Sequence, residues 1–359
     1  VASGVSRLNY PLIDGVVKGC PSHILEPTAT NSINYSEDFS NSVWTRSSSG
    51  TGITPIITSN YAISPDGTQN ATRVQFDNGS GTALSDFTYL QTVHNNISIA
   101  SSSIWIKSND SNNYDIALRG TNFVVCNVTP KWQRFELNNQ INEIVLQLIL
   151  RGTYGTSNNA DILIYGAQAE NNSFTTSYIP NYGTALGVTR SAETATNSGD
   201  ASTFNDSEGV LMAEISTLQS SGEDIYISIN NGVSNRITLR NTSALNNVVG
   251  QCVVGGVNQA SMDYTLEDRT ANNKVSIRYK LNDFSLWVNG FKVVTDNIGS
   301  VPTSLNDLSY TNGSGVANWY GSTKQIQYFD SALNDSDLET LTSWVSFTDM
   351  ANGQLYTIE

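Results

Sequence analysis

Residues 143–151 read EIVLQLILR, and this run limits the fold more than any other. Successive residues of a strand point to opposite faces. Ile144, Leu146, Leu148 and Leu150 therefore share one face, and Val145, Gln147 and Ile149 share the other. Apolar residues on both faces predict a central strand of a covered sheet. The segment 161–190, DILIYGAQAENNSFTTSYIPNYGTALGVTR, carries a second such run in Ile162, Leu163, Ile164 and Tyr165. Gly166 then marks a bend or a close backbone approach. A polar stretch follows to Tyr178 and Ile179, where Pro180 removes a donor and ends any ladder. The segment predicts the closing strand of one β domain and an exit pinned before it becomes a linker.

Further strands are predicted at 70–76, 87–93, 103–107, 114–119, 122–128 and 132–137. With 143–151 and 161–165 they make eight short strands separated by Asn, Asp, Ser and Gly, which suggests a sandwich or jelly roll over 31–182. Glu37, Phe39 and Trp44 fall in an irregular stretch with room for one helical turn. Residues 183–204 are small and polar and predict an interdomain linker. A second sandwich is predicted over 205–345, its clearest piece being DFSLWVNGFKVVTD. There Phe284, Leu286 and Val288 face one way, Ser285 and Trp287 the other, and Asn289-Gly290 supplies a type I′ hairpin turn. KVSIRYKLND adds a third antiparallel strand before it. Near the end, Asn334 or Ser336 can cap a short helix, with Ser336 and Glu339 spaced as a capping box. Residues 1–30, with Pro11, Pro21 and Pro27, predict an extended connector with edge strands. Residues 346–359 form a C-terminal tail.

Charged residues are only 14% of the 359, so solubility falls to Asn, Ser, Thr and Gly, as on a β-rich extracellular or virion surface. A formal net charge of -14 repels phosphate backbones and argues against nucleic acid as a partner. No run of 18 apolar residues is present, so no membrane partner is expected. Cys20, Cys126 and Cys252 lie far apart and match neither a disulfide framework nor a zinc site. The sequence opens at Val1 rather than Met, which suggests a piece or a processed form of a longer protein.

Catalysis is not expected. His23 and His94 are the only histidines, and GxSxG, HExxH and P-loop motifs are absent. Glycoside hydrolysis needs two facing carboxylates. The adjacent pairs Glu37-Asp38, Glu223-Asp224 and Glu267-Asp268 point to opposite faces on a strand or meet water in a turn. Asp335 and Asp337 are spaced like metal ligands, but helix capping explains them better.

Several motifs in the first half resemble, in order, a signature of tail and fibre proteins of tailed bacteriophages. They are CPSHILEP (20–27), TNSINYSEDFSNSVWT (30–45), AISPDGTQNATRV (62–74), SIWIKS (103–108), PKWQRFEL (130–137), GAQAE (166–170), TTSYIP (175–180) and VTR (188–190). The resemblance covers about residues 20–190 and implies a jelly roll similar to carbohydrate-binding modules. The NG meander and the ending TKQIQYFDSALNDSDLETLTSW resemble the concanavalin A-like, laminin G-type sandwich. The expected class is therefore all-β, two tandem antiparallel β-sandwiches with a short C-terminal helix.

The phage resemblance implies a protein of the exposed virion surface, such as a tail fibre, a receptor-binding component or a head decoration. Its partners would be host surface glycans and other virion proteins, and its assembly a homotrimer. It implies no cofactor beyond a structural calcium held by loop carboxylates. An architectural role without sugar binding and a secreted carbohydrate-binding adhesin are the alternatives. Sugar binding uses exposed aromatic rings. Trp319 and Tyr320 in GSGVANWYG lead the candidates, followed by Trp44, Tyr61, Tyr89, Tyr154 and Tyr264. Packing beneath a loop is the competing reading of each, and for Trp319 and Tyr320 so is a strand that closes the core.

Overall fold

A computed structural model describes residues 5–10, 12–13, 16–17, 20–151, 158–219 and 221–354. Strand accounts for about 52% of the chain and helix for about 5%, as expected of an all-β protein. Two compact units emerge. Thr28–Ser191 form the first, with a short hairpin of β2 (Leu12–Ile13) and β3 (Val16–Val17). The second joins the rest of the N-terminal stretch, including β1 (Arg7–Asn9) and β4 (Ser22–Leu25), to the chain from Ala192 on.

The first unit contains β5 (Ala29–Asn31), β6 (Trp44–Ser49), β7 (Ile53–Ala62), β8 (Ala71–Asp77) and β9 (Phe87–Ser108), then β10 (Tyr114–Arg119), β11 (Phe123–Val128), β12 (Gln133–Arg151), β13 (Asn159–Glu170) and β14 (Val188–Arg190). β9 and β12 each absorb two predicted strands. Each changes partners along its length, and register shifts between Leu137/Gln140 and Glu143/Val145 mark the change. The N-terminal half of β9 lies between β6 and the C-terminal half of β12, which continues to β10 and β11. The C-terminal half of β9 lies between the start of β12 and β13, which continues to β8 and β7. Two layers result. Leu90, Leu118, Leu146 and Leu148 of one share a core cluster with Val74, Phe76, Ile106 and Ile164 of the other. The predicted helical turn around Phe39 is absent. Turns lead instead directly into β6.

GAQAE and the exit after it are joined by buried polar bonds. Asn31 donates to the carbonyls of Ala167 (3.0 Å) and Ile179 (2.8 Å), while its own oxygen accepts from the Ile33 and Ala169 amides. Gln168 accepts from the Ile179 amide (2.6 Å), and Glu170 from the Thr176 amide (2.9 Å) and hydroxyl (2.5 Å). Burial pushes the Glu170 carboxyl upward against these bonds. At Gly166 φ is +63°, a conformation that strains any L side chain, and the Tyr178 ring lies 3.4 Å from where a Cβ would stand. The exit then returns as β14 to pair with β5.

In the second unit come β15 (Glu208–Thr217), β16 (Ile225–Asn230), β17 (Arg236–Asn241), β18 (Asn247–Val254), β19 (Val257–Thr265) and β20 (Asn273–Lys280), then β21 (Asp283–Val288), β22 (Phe291–Asp296), β23 (Asp307–Ser309) and β24 (Gly321–Phe329). They form a seven-stranded sheet, β1-β4-β24-β15-β20-β21-β22, and a five-stranded sheet, β19-β18-β17-β16-β23. One core cluster joins the sheets, with Ile227, Leu239, Ile277, Phe284 and Leu286 among its members. The Asn289-Gly290 turn has φ of +48° and +90°, as a type I′ turn requires.

The N-terminal segment, read from the sequence as a connector with edge strands, adds β1 and β4 to this sheet, and Leu25 enters the core. Arg7 donates to both Glu26 and Glu193, and Glu193 also accepts the Glu26 amide at 2.9 Å. The predicted helix is α1 (Asp335–Thr342), capped by Asn334, whose side chain accepts from the Asp337 amide at 3.0 Å. Leu338 packs on Val210 and Trp287. The tail adds a second helix, α2 (Phe347–Gly353), which the sequence pattern does not predict.

Candidate functional site

Residues directly opposite one another on paired strands share a face. Phe87, Tyr89 and Gln91 of β9 lie opposite Arg151, Ile149 and Gln147 of β12, and Gln147 lies opposite Arg119 of β10. Arg119 in turn faces Phe123 of β11. The intervening Leu90, Leu118, Leu148 and Leu150 point into the core, so this set occupies the outer face. It lines a groove of about 290 Å³.

The groove has an aromatic wall and a fixed polar floor. Phe87 and Tyr89 stack with centroids 5.9 Å apart and planes 24° apart. The Arg119 guanidinium sits 5.3 Å from the centre of the Phe123 ring, and that of Arg151 sits 6.0 Å from the same ring. Arg119 Nη1 donates to Gln147 Oε1 (3.3 Å), and Gln147 Nε2 donates to Gln91 Oε1 (2.7 Å). Gln147 is nearly buried, so this relay holds the guanidinium in place. Flat rings beside preset donors and acceptors suit a ligand with an apolar face and a hydroxylated rim.

A second cleft, of about 380 Å³, lies elsewhere on the same unit between Glu37, Asp38, Asn60, Asn70 and Tyr182. Glu37 Oε1 accepts from the hydroxyls of Tyr178 (3.1 Å), Tyr165 (3.4 Å) and Tyr182 (3.4 Å). Asp66 accepts from Ser64 (2.7 Å), twice from Thr68 (2.7 and 2.8 Å) and from Tyr165 (2.9 Å). Partial burial works against its ionised form, but these donors prevail and hold the carboxyl at about 2. Burial, with the Glu37 charge, pushes the Tyr165 hydroxyl well above its ordinary range. Glu37 and Asp66 are thus occupied as acceptors inside the fold.

The seven aromatics read from the sequence separate widely. Trp319 is 0% exposed within the second core, its amide bonded to the Tyr310 carbonyl at 2.9 Å. Trp44 is 4% exposed, packs on Phe39 at 4.7 Å and donates Nε1 to the Tyr35 carbonyl. Neither offers a ring face to a ligand, and both expectations are corrected. Glycine around Trp319 suggested an open loop, yet the chain there turns inward to close the core. Tyr320 is half-buried and accepts from Asn318. Tyr264 is exposed on β19. Tyr61 is exposed on β7, with the Arg73 guanidinium 5.0 Å from its ring. Tyr89 lines the groove. Tyr154 lies outside the described residues.

Sequence reasoning missed Phe87, Arg119, Phe123, Gln147 and Arg151 as partners of Tyr89. A usable signal was present, since FTYLQ alternates an outward Phe, Tyr, Gln series with inward Thr and Leu. Among the described residues, no group of three or more His, Cys, Asp or Glu side chains is placed to hold a metal ion. Asp335 pairs with Lys292 and Arg278, and Asp337 serves the helix cap. No helix of the described residues is long and apolar enough to cross a membrane.

No protein-family model matches the chain, and no curated protein matches its sequence. Among solved structures it is similar to domains LG4-5 of the mouse laminin alpha1 chain. The TM-score is 0.29 at 10% identity, covering 66% of this chain and 85% of that one. It is also similar to the binding domain of botulinum neurotoxin DC in complex with SialylT (TM-score 0.24, 8% identity) and in complex with rat synaptotagmin II (0.25, 9%). Each of these two matches covers 83% of this chain and 46% of the other. Overlap this slight transfers neither a ligand nor a role, and only the chain's own residues can supply them.

Proposed function

We propose that the chain is a glycan-binding, non-catalytic protein of a bacteriophage virion surface, and that the outer groove of the first sandwich is its ligand site. The observation that carries this is the convergence of Phe87, Tyr89 and Phe123 with the Gln91–Gln147–Arg119 relay. A pyranose lays its apolar face on the rings while the amides read its hydroxyls. The virion setting rests on the ordered motifs of residues 20–190. A homotrimer would multiply weak sites into useful avidity on a host polysaccharide. Nucleic acid and lipid bilayers have no place in this reading.

The test is a glycan array probed with the full chain at high valency, followed by titration of each hit. Phe123→Ala and Tyr89→Ala are expected to weaken binding at least about tenfold, as loss of a central aromatic anchor does. No bound glycan of any class would sink the proposal. A purely architectural role is favoured by a different observation. Phe291, Ile298, Val345 and Phe347 of the second unit are all strongly exposed, which suits packing against neighbouring virion proteins.

A further inference from the structure

We infer that the groove selects carboxylated sugars, with Arg119 as the residue that reads the carboxylate; this rests on the glycan-binding reading above. The chain carries 32 acidic against 18 basic residues, yet the groove draws two arginines and no carboxylate. Three other arginines of the fold are neutralised by carboxylates. Arg73 pairs with Asp161, Arg240 with Asp224, and Arg278 with Asp283 and Asp335. Among the described residues Arg119 has no ion pair. It touches the Phe123 ring and Gln147.

The rest of the groove fits such a ligand. Gln147 and Gln91 fix the Arg119 fork, so little orientational freedom is lost when an anion docks. A guanidinium presents parallel N–H donors that match the two oxygens of a carboxylate in one plane. Arg151 shares the Phe123 ring and adds a second positive charge beside it. The Phe87–Tyr89 stack completes a ring surface on the same sheet face. A uronic or nonulosonic acid carries both the sugar ring for the aromatics and the carboxylate for the fork. Sulfate esters share the charge but are tetrahedral.

The experiment titrates the full chain with polygalacturonate, hyaluronan and polysialate, and with each polymer after its carboxylates are amidated. Dextran sulfate and the neutral glycans of the array are run alongside. At least one carboxylated polymer is expected to bind, at least tenfold more tightly than its amidated form and than dextran sulfate. Arg119→Gln should erase that preference, Arg119→Lys should restore only part of it, and Phe123→Ala should weaken every form. Equal binding of amidated polymer or dextran sulfate overturns the inference and leaves glycan binding standing. So does an unchanged affinity in Arg119→Gln. Binding to no glycan, charged or neutral, overturns both.

Discussion

Arg7 is the countercharge for Glu26 and Glu193, both of which are 2% exposed. Arg7→Ala leaves two like charges in a nearly dry site. Removing one partner from a buried ion pair costs about 3–5 kcal/mol. The loss is expected in the second unit, where all three residues reside. Buried thiols provide the readout. Cys252 lies in the second core and Cys126 in the first, and burial pushes each thiol up to about 12. A thiol reagent reaches either one when its unit opens. At 1.36 kcal/mol per tenfold, labelling of Cys252 should accelerate roughly 150- to 5,000-fold in the variant. Labelling of Cys126 should not change. Pulsed alkylation of the full chain followed by peptide mass spectrometry resolves these cysteines, with exposed Cys20 as the internal reference. Less than tenfold acceleration at Cys252, or equal acceleration at Cys126, refutes the reasoning. Combining Arg7→Ala with Glu26→Gln and Glu193→Gln should recover most of the loss, since the charges that need compensation are then gone.

Two further outcomes are expected. The Asp66 carboxyl is held at about 2 against an ordinary 3.8, so its contribution is complete above pH 4 and is lost as pH falls toward 2. That shift corresponds to about 2.4 kcal/mol at full strength and to about 1 kcal/mol once solvent screening is allowed for, because Asp66 is exposed. Denaturant melts at pH 7 and pH 2.5 should show this loss in the wild type and not in Asp66→Asn; equal acid sensitivity of the two would contradict it. Trp319→Ala should cost about 3–5 kcal/mol through the cavity it leaves, with glycan affinity per folded molecule unchanged. Unchanged stability with lost binding would return Trp319 to the ligand surface.

Much of the second sandwich was legible because its strands alternate cleanly. Phe284, Leu286 and Val288 face the core as their spacing demands, and Trp287 faces the other way onto Leu338 of α1. The length of β9 was hidden because polar residues break the alternation where the strand changes partners. There Ser102 donates to buried Glu143 at 2.5 Å, and His94 lies 3.5 Å from the same carboxylate. Local pattern cannot reveal that the fold satisfies such groups from a neighbouring strand. Nor can it reveal that Ser22–Leu25 pair with residues near 321, because the information lies at both ends of the chain. The groove was half legible for a related reason. Tyr89 stands out by itself, but Arg119, Phe123 and Gln147 join it only once strand register is known.

Leu25 pairs with Gly321, so 321 − 25 = 296 positions of chain must be synthesised between the two partners. At about 5–20 residues per second, a ribosome needs roughly 15–60 s to supply the second one. The first sandwich can close on its own residues during that interval, while Ser22–Leu25 waits unpaired. Completion of the second sandwich therefore waits on the synthesis of β24, although its partner strand β4 precedes the whole of Thr28–Ser191.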